Sequence, residues 1–265
     1  MNLLLGTPCA QNQVHREYCM SLLTETINAP DRLENQTKYS IATYLVGGVS
    51  GLGKDRGIIA SHALRHNFDK VFFIDADQSW TWDQFRTIAD SPESITAGVV
   101  ALKQYPIQLN FTPQPQDNVH FLPEDKKITP KGLERFLKHS ISPAYISGKS
   151  VSRLLEVQCM GTAFMCIDVS VLKILAESKA APAFSYMCPH ARKIVTCWDF
   201  FQSGVVPTSD DPSMPGLYFG EDWGFCAIAK RAGFSSYINP FVQLPHHGNH
   251  AFKVDQELIE KPLEI

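Results

Sequence analysis

Apolar residues in this chain fall into short runs, separated by stretches whose spacing switches between strand and helix periods. "NLLLGTP" is stopped by Gly6 and Pro8, which predicts a first strand leading into a loop. "QVHREYCMSLLTETI" then places Val14, Tyr18, Leu22 and Leu23 near one helical face. "YSIATYLVGG" predicts a second strand. After a glycine-rich turn, "DRGIIASHALRH" carries apolar residues at helical spacing and ends at "NFD". "KVFFID" reads as a third strand, "TWDQFRTIAD" as a helix with Thr81 as N-cap, and "SITAGVVAL" as a fourth strand. This β-α-β-α-β-α-β order predicts an α/β protein. Its central sheet is mainly parallel, with helices on both faces and a site at the carboxyl ends of the strands.

The second half reads differently. "NFTPQPQDNVHFLPEDKKITPKG" is polar and proline-rich, a surface excursion. "LLEVQCMGTAFMCI" returns to the core as strand, glycine turn and strand, and "DVSVLKILAES" follows as a helix. "VTCWDFFQSGVVPTSDDPSMPG" reads as one long loop of aromatics, acids and prolines, suited to ordering when a ligand binds, with Asp210 and Asp211 either a second carboxylate pair or a solvated acidic turn. "GEDWGFCAIAKRAGF" predicts a helix from near Glu221 to Gly233, and "YINPFVQLPHHGNHAF" closes the folded part. No repeat or linker divides the 265 residues, so a single domain is expected.

Composition narrows the partners. A formal net charge of −3 and a pI near 6.3 argue against a broadly basic nucleic-acid surface. They leave room for a local patch built from Lys126, Lys127, Lys131, Arg135 and Lys138. Seven cysteines, odd in number and without a CxxC pair, predict reduced thiols in a cytoplasmic protein. No apolar stretch approaches the roughly 20 residues of a membrane span, and the opening run is too short for a signal peptide.

The chemistry centres on "VFFIDADQSW", where a buried strand ends in Asp75 and Asp77. Residues two apart on a strand share a side. Two carboxylates there are stable only beside a cation or hydrogen-bond donors, or with one protonated. The bland alternative is that one of them caps the next helix. Three further features join the pair. "GED" places Glu221 and Asp222 at a helix start, where acids also stabilise the helix dipole. "LPHHGNH" offers His246, His247 and His250, either metal ligands or surface residues. "MGTAF" puts Gly161 where a backbone can approach a ligand, or simply pack.

Together and in this order, "DAD", "MGTAF", "GEDWGFC" and "LPHHG" resemble the DxD motif, glycine loop, xED motif and C-terminal histidine of the GT-A superfamily. These are nucleotide-sugar-dependent glycosyltransferases, and the likeness is closest to compact single-domain members from phages, other large DNA viruses and bacteria. It implies one GT-A (Rossmann-like) domain over 1–265: a nucleotide-binding half (1–110), an acceptor-side half (111–250) and a tail (251–265). It also implies that Asp77 binds Mn²⁺ (or Mg²⁺) bridging the donor's diphosphate, with Asp75 on the ribose or assisting the metal through water. His246, or the adjacent His247, completes the metal site. Thr7, Pro8, Ala76, Gly161 and the Lys54–Asp55–Arg56 stretch surround the implied nucleotide sugar, a UDP-sugar. Lys54 or Arg56 either pairs with phosphate or is a solvated charge. Asp222 is the implied base of an inverting transfer and Glu221 orients it or the acceptor, although retaining members also carry acids near this position.

The acceptor implied is a hydroxymethylated base in phage DNA or a glycan. Two readings from other classes stand beside this one. A nucleotidyltransferase would use the aspartates to hold a metal on phosphates, but "GTPCAQNQVHRE" makes a poor phosphate loop. A non-catalytic module would bind a nucleotide or glycan at a vestigial site.

Overall fold

The computed structural model describes residues 1–9, 12–27, 39–47, 51–103, 110–113, 154–189, 192–206, 217–248 and 251–252. The first four strands lie where the apolar runs predict them: β1 (Asn2–Cys9), β2 (Ser40–Gly47), β3 (Lys70–Ile74) and β4 (Ile95–Val100). Between them stand α1 (Arg16–Met20), which widens into a π-helix over Ser21–Ile27, then α2 (Leu52–Arg65) and α3 (Trp82–Ala89). Thr81 caps α3 in a full capping box. Its hydroxyl accepts from the Gln84 N–H, and the Gln84 side chain accepts from the Thr81 N–H. Neither Asp75 nor Asp77 is that cap.

Further along come β5 (Phe111–Pro113), β6 (Leu155–Met160), β7 (Phe164–Asp168) and α4 (Val169–Glu177). Next are the hairpin β8 (Ala183–Cys188) and β9 (Lys193–Trp198), then the pair β10 (Gly204–Val206) and β11 (Leu217–Phe219). The last described elements are α5 (Glu221–Arg231), β12 (Ser236–Leu244), β13 (His246–His247) and β14 (Ala251–Phe252).

Eight of these strands form one sheet in the order β2-β1-β3-β7-β4-β12-β6-β5. The β1–β2, β1–β3 and β4–β12 pairs are parallel, whereas β7 and β6 each run antiparallel to both neighbours. Six strands therefore share one direction, and the sheet is mainly parallel with two reversed strands that the βα alternation did not predict. Strand β7, from the second half of the chain, lies between β3 and β4 of the first.

Alternation along β1 and β3 builds the two faces. Leu4, Val71 and Phe73 turn to a core with Ile58 and Ile59 of α2, Leu172 of α4 and Phe225 of α5. Leu3, Leu5, Phe72 and Ile74 turn to the other, with Tyr18 of α1 and Phe85 of α3. Helices thus cover both faces, as a buried mixed sheet requires.

One segment departs from the sequence reading, and another is a strand that the sequence did not assign. "VTCW" is not loop but most of β9, paired along its length with β8. "YINPFVQL" is a sheet strand despite Pro240, because the register against β4 shifts between Asn239 and Gln243 and so accommodates a residue with no N–H to donate. All seven cysteines are unpaired. No helix among the described residues is long and apolar enough to cross a membrane. The basic run Lys126 to Lys138, the acids Asp210 and Asp211, His250 and residues 253–265 lie outside the described residues.

Candidate functional site

Strand β3 stops at Ile74, and Asp75 to Gln78 form a turn in which the Gln78 N–H donates to the Asp75 carbonyl at 3.1 Å. The turn is pinned on both sides. The Asp75 N–H donates to Ala163 O, the His15 N–H to Ala76 O and the His247 N–H to Asp77 O. Because the chain has left the strand, the period-two argument no longer applies, and the two aspartates meet different partners.

Asp75 faces Arg56. The Arg56 guanidinium is 2% exposed, and its Nη2 reaches Asp75 Oδ1 at 2.9 Å and Oδ2 at 3.2 Å. Its Nη1 donates to Glu221 Oε1 at 2.8 Å and Asp222 Oδ1 at 3.3 Å. One cation thus joins three acids from two distant parts of the sequence. Burial alone would favour neutral Arg56, but Asp75 and Asp222 outweigh it and raise its pKa. Arg56 is therefore not a solvated charge: it is buried against Asp75, Glu221 and Asp222. Lys54 is exposed and forms no ion pair with a described residue.

Asp77 has its own partners. Lys103 Nζ lies 2.5 Å from Oδ2, and His246 Nε2 lies 3.3 Å from Oδ1. The histidine contact lacks hydrogen-bond geometry, so Oδ1 is a buried oxygen without a donor. Burial pushes the Asp77 carboxyl up, but His246 and Lys103 overcome this and hold it below the usual carboxylate range. The His246 Nδ1–H donates to the Ala101 carbonyl at 2.9 Å, which leaves Nε2 facing Asp77. His247 looks elsewhere. Its Nε2 lies 2.8 Å from Ser79 Oγ, and burial lowers its pKa. Of the four predicted metal residues, Asp77 and His246 meet; Asp75 and His247 are engaged away from them.

Asp222 sits in the first turn of α5 against the turn between β6 and β7. The Thr162 N–H donates to its Oδ2 at 3.4 Å, and Thr162 Oγ1 donates to Oδ1 at 3.3 Å. A Cβ at Gly161 would stand 3.1 Å from Asn110 Nδ2 and 3.4 Å from Asp222 Oδ2, so this glycine lets side chains close on the turn. Burial pushes the Asp222 carboxyl up to about 6; Arg56 opposes that shift.

Backbone clearance holds the two helices that supply Arg56 and Asp222. A Cβ at Gly53 or Gly57 would lie 2.5 Å from Phe201 O or 2.9 Å from Trp198 O, and one at Gly224 only 1.7 Å from Gln202 O. The 198–202 segment thus rests directly on both helices. Thr7 and Pro8 lie within β1 rather than in a loop after it. Both are buried, and the Thr7 hydroxyl is bonded to Tyr18 OH.

Lys103, just beyond β4, was not singled out from the sequence; its position after "VVAL" at a strand's carboxyl end was the available signal. Asp55 was named only as part of a stretch, yet it is 3% exposed with an unpartnered Oδ1, and burial raises its pKa to about 6. Among the described residues, eight buried polar side-chain atoms lack a partner. Six of them belong to Asp55, Arg56, Asp77, Gln78 and Asn110 around this end of the sheet. Such groups are normally satisfied, so their concentration marks a place for a polar ligand, ion or water.

Among the described residues no three His, Cys, Asp or Glu side chains gather as a metal site. Two do fit part of one: an oxygen without a donor and an imidazole nitrogen oriented by a carbonyl. A hard divalent ion that takes its remaining ligands from substrate phosphates and water needs little more from the protein. The fold and site together define a mixed α/β, Rossmann-like domain with an acid-rich site at the strands' carboxyl ends. No family model matches the chain, and no curated protein matches it. Among solved structures it is similar to A197 from STIV, at 13% identity and a TM-score of 0.44, covering 94% of this chain and 86% of that one.

Proposed function

We propose that this chain is a metal-dependent glycosyltransferase of the GT-A type, moving a sugar from a nucleotide sugar (UDP-linked) to an acceptor hydroxyl. The observation that carries this reading is the pairing of Asp77 Oδ1 with His246 Nε2 at 3.3 Å, among buried polar atoms that lack partners. Asp77 and His246 would hold Mn²⁺ or Mg²⁺, and such an ion supplies charge neutralisation for a departing diphosphate. The acceptor is a hydroxymethylated base of phage DNA or a glycan hydroxyl. Unpaired thiols support a reducing compartment such as the cytoplasm.

Asp222 takes the acceptor proton. Its side chain is 29% exposed, enough to meet a hydroxyl, while Arg56 and Thr162 fix its orientation. A carboxyl at about 6 is mostly ionised at pH 7 and more basic than an ordinary aspartate, as a general base requires. Glu221 and Asp75 share Arg56 with it and keep that cation in place.

Incubation with a panel of nucleotide sugars, Mn²⁺ and candidate acceptors, with and without EDTA, tests this. Expected are metal-dependent release of a nucleoside diphosphate and a rate that rises through about pH 6 as Asp222 ionises. Asp222→Asn should lower turnover by roughly 10²–10⁴-fold with donor binding intact. Pyrophosphate release from nucleoside triphosphates would point to nucleotidyl transfer instead, and donor binding without turnover to a non-catalytic module.

A further inference from the structure

A diphosphate brought to Asp77 enters an acid-rich neighbourhood. Arg56 is already shared among three carboxylates and buried beneath them. Lys54 stands exposed, with no ion pair to a described residue. Lys103 is different: it touches the Asp77–His246 pair directly, with Nζ 2.5 Å from Asp77 Oδ2 and 34% of its side chain exposed. The same short span orients the histidine, since Ala101, two residues earlier, accepts the His246 Nδ1–H. One segment after β4 therefore aims the imidazole and neutralises the carboxylate.

The geometry points to Lys103 as an exchangeable counter-cation, which balances Asp77 in the free protein and passes to the donor's diphosphate when Asp77 takes a divalent ion. This rests on the glycosyltransferase reading for the identity of the diphosphate. The physical reason is crowding of like charge. Asp77 Oδ1 and Oδ2 belong to one carboxylate, so an ammonium on one oxygen and a divalent ion on the other repel at short range. A lysine has a flexible stem and three donors on a compact charge, so it can turn from carboxylate to phosphate without moving the backbone. A diphosphate bound to an ion on Asp77 would bring its oxygens to the neighbourhood of this ammonium, which lies beside the same carboxylate. Lys103 then stands as a binding residue for the leaving diphosphate, whereas Arg56 remains a positioning residue.

The test uses the full chain and the variants Lys103→Met and Lys103→Arg. Mn²⁺ alone is titrated by electron paramagnetic resonance, and UDP and uridine are titrated by calorimetry with Mn²⁺ present. Lys103→Met is expected to bind Mn²⁺ alone about three- to tenfold more tightly, because the competing cation is gone. The same variant should bind UDP about tenfold more weakly but uridine within twofold of the parent. Lys103→Arg should restore most of the UDP affinity. Unchanged Mn²⁺ and UDP affinities in Lys103→Met, in a parent that binds both, would overturn the counter-cation role and leave the function reading standing. A parent that binds neither Mn²⁺ nor any nucleoside diphosphate would overturn both.

Discussion

Replacing Arg56 by methionine is the severest test of how the site is held. The guanidinium makes four contacts of 2.8–3.3 Å to Asp75, Glu221 and Asp222 and is 2% exposed. Each of the three pairs, with charges about 4 Å apart, is worth ~4 kcal/mol at an effective dielectric of about 20. Much of that gross attraction is offset by dehydrating the ions and by repulsion among the acids. Breaking a buried pair typically costs about 3–5 kcal/mol net, because uncompensated charge is left behind. For a chain of this size that corresponds to a fall in Tm of roughly 10 °C, at about 2–4 °C per kcal/mol.

The pH dependence separates this from a simple packing loss. Without Arg56 the Asp222 carboxyl, already raised by burial, loses the cation that opposes that shift, and a group with a raised folded pKa loses stability as pH rises through that value. The deficit of Arg56→Met against the parent should therefore be largest near pH 8 and shrink toward pH 5, where protonation relieves the repulsion. Thermal unfolding followed by circular dichroism at pH 5, 6.5 and 8 measures it. A deficit below about 1 kcal/mol, or one independent of pH, would mean that the three acids are not held by this cation.

Three further outcomes are expected. Asp55→Asn removes a buried carboxyl with a raised pKa of about 6, so it should stabilise the protein by about 1–3 kcal/mol at pH 7.5 and by almost nothing at pH 4; equal Tm shifts at both pH values would argue against a charge effect. Gly224→Ala improves helix propensity by ~1 kcal/mol, but its Cβ would fall 1.7 Å from Gln202 O, so Tm should drop; a rise would mean that the contact yields freely. His246→Ala should weaken Mn²⁺ binding by about tenfold or more and His247→Ala by less than twofold, as read by paramagnetic resonance; equal losses would show that His247 is also a ligand.

The elements of the first hundred residues were legible because strands rich in apolar residues alternate there with stretches of helical spacing, one of them opened by the Thr81 cap. The reversed direction of β6 and β7 was not, since direction depends on where the chain crosses the sheet and leaves no mark in local periodicity. Hairpin β8–β9 hid because its exposed faces, including Met187 at 59% and Ile194 at 65%, give no clean alternation. At the site, Asp75, Asp77, Asp222 and His246 could be named from residue type and order. Their partners could not. Arg56 was one of two basic neighbours until the fold buried it, and Lys103 meets Asp77 across 26 residues. The question raised by two adjacent acids has a local answer: each is balanced by a different cation from the chain itself.

The segment resting on Gly53, Gly57 and Gly224 has a consequence for how the protein tolerates change. These glycines carry no chemistry, yet the close approach of 198–202 ties the helix bearing Arg56 to the helix bearing Asp222. A survey of substitutions scored by activity alone would rank them beside Asp222 and suggest three more catalytic positions. Scoring folded protein in parallel would separate the groups: glycine variants should be depleted from the soluble pool, whereas a variant that changes only chemistry should remain there folded.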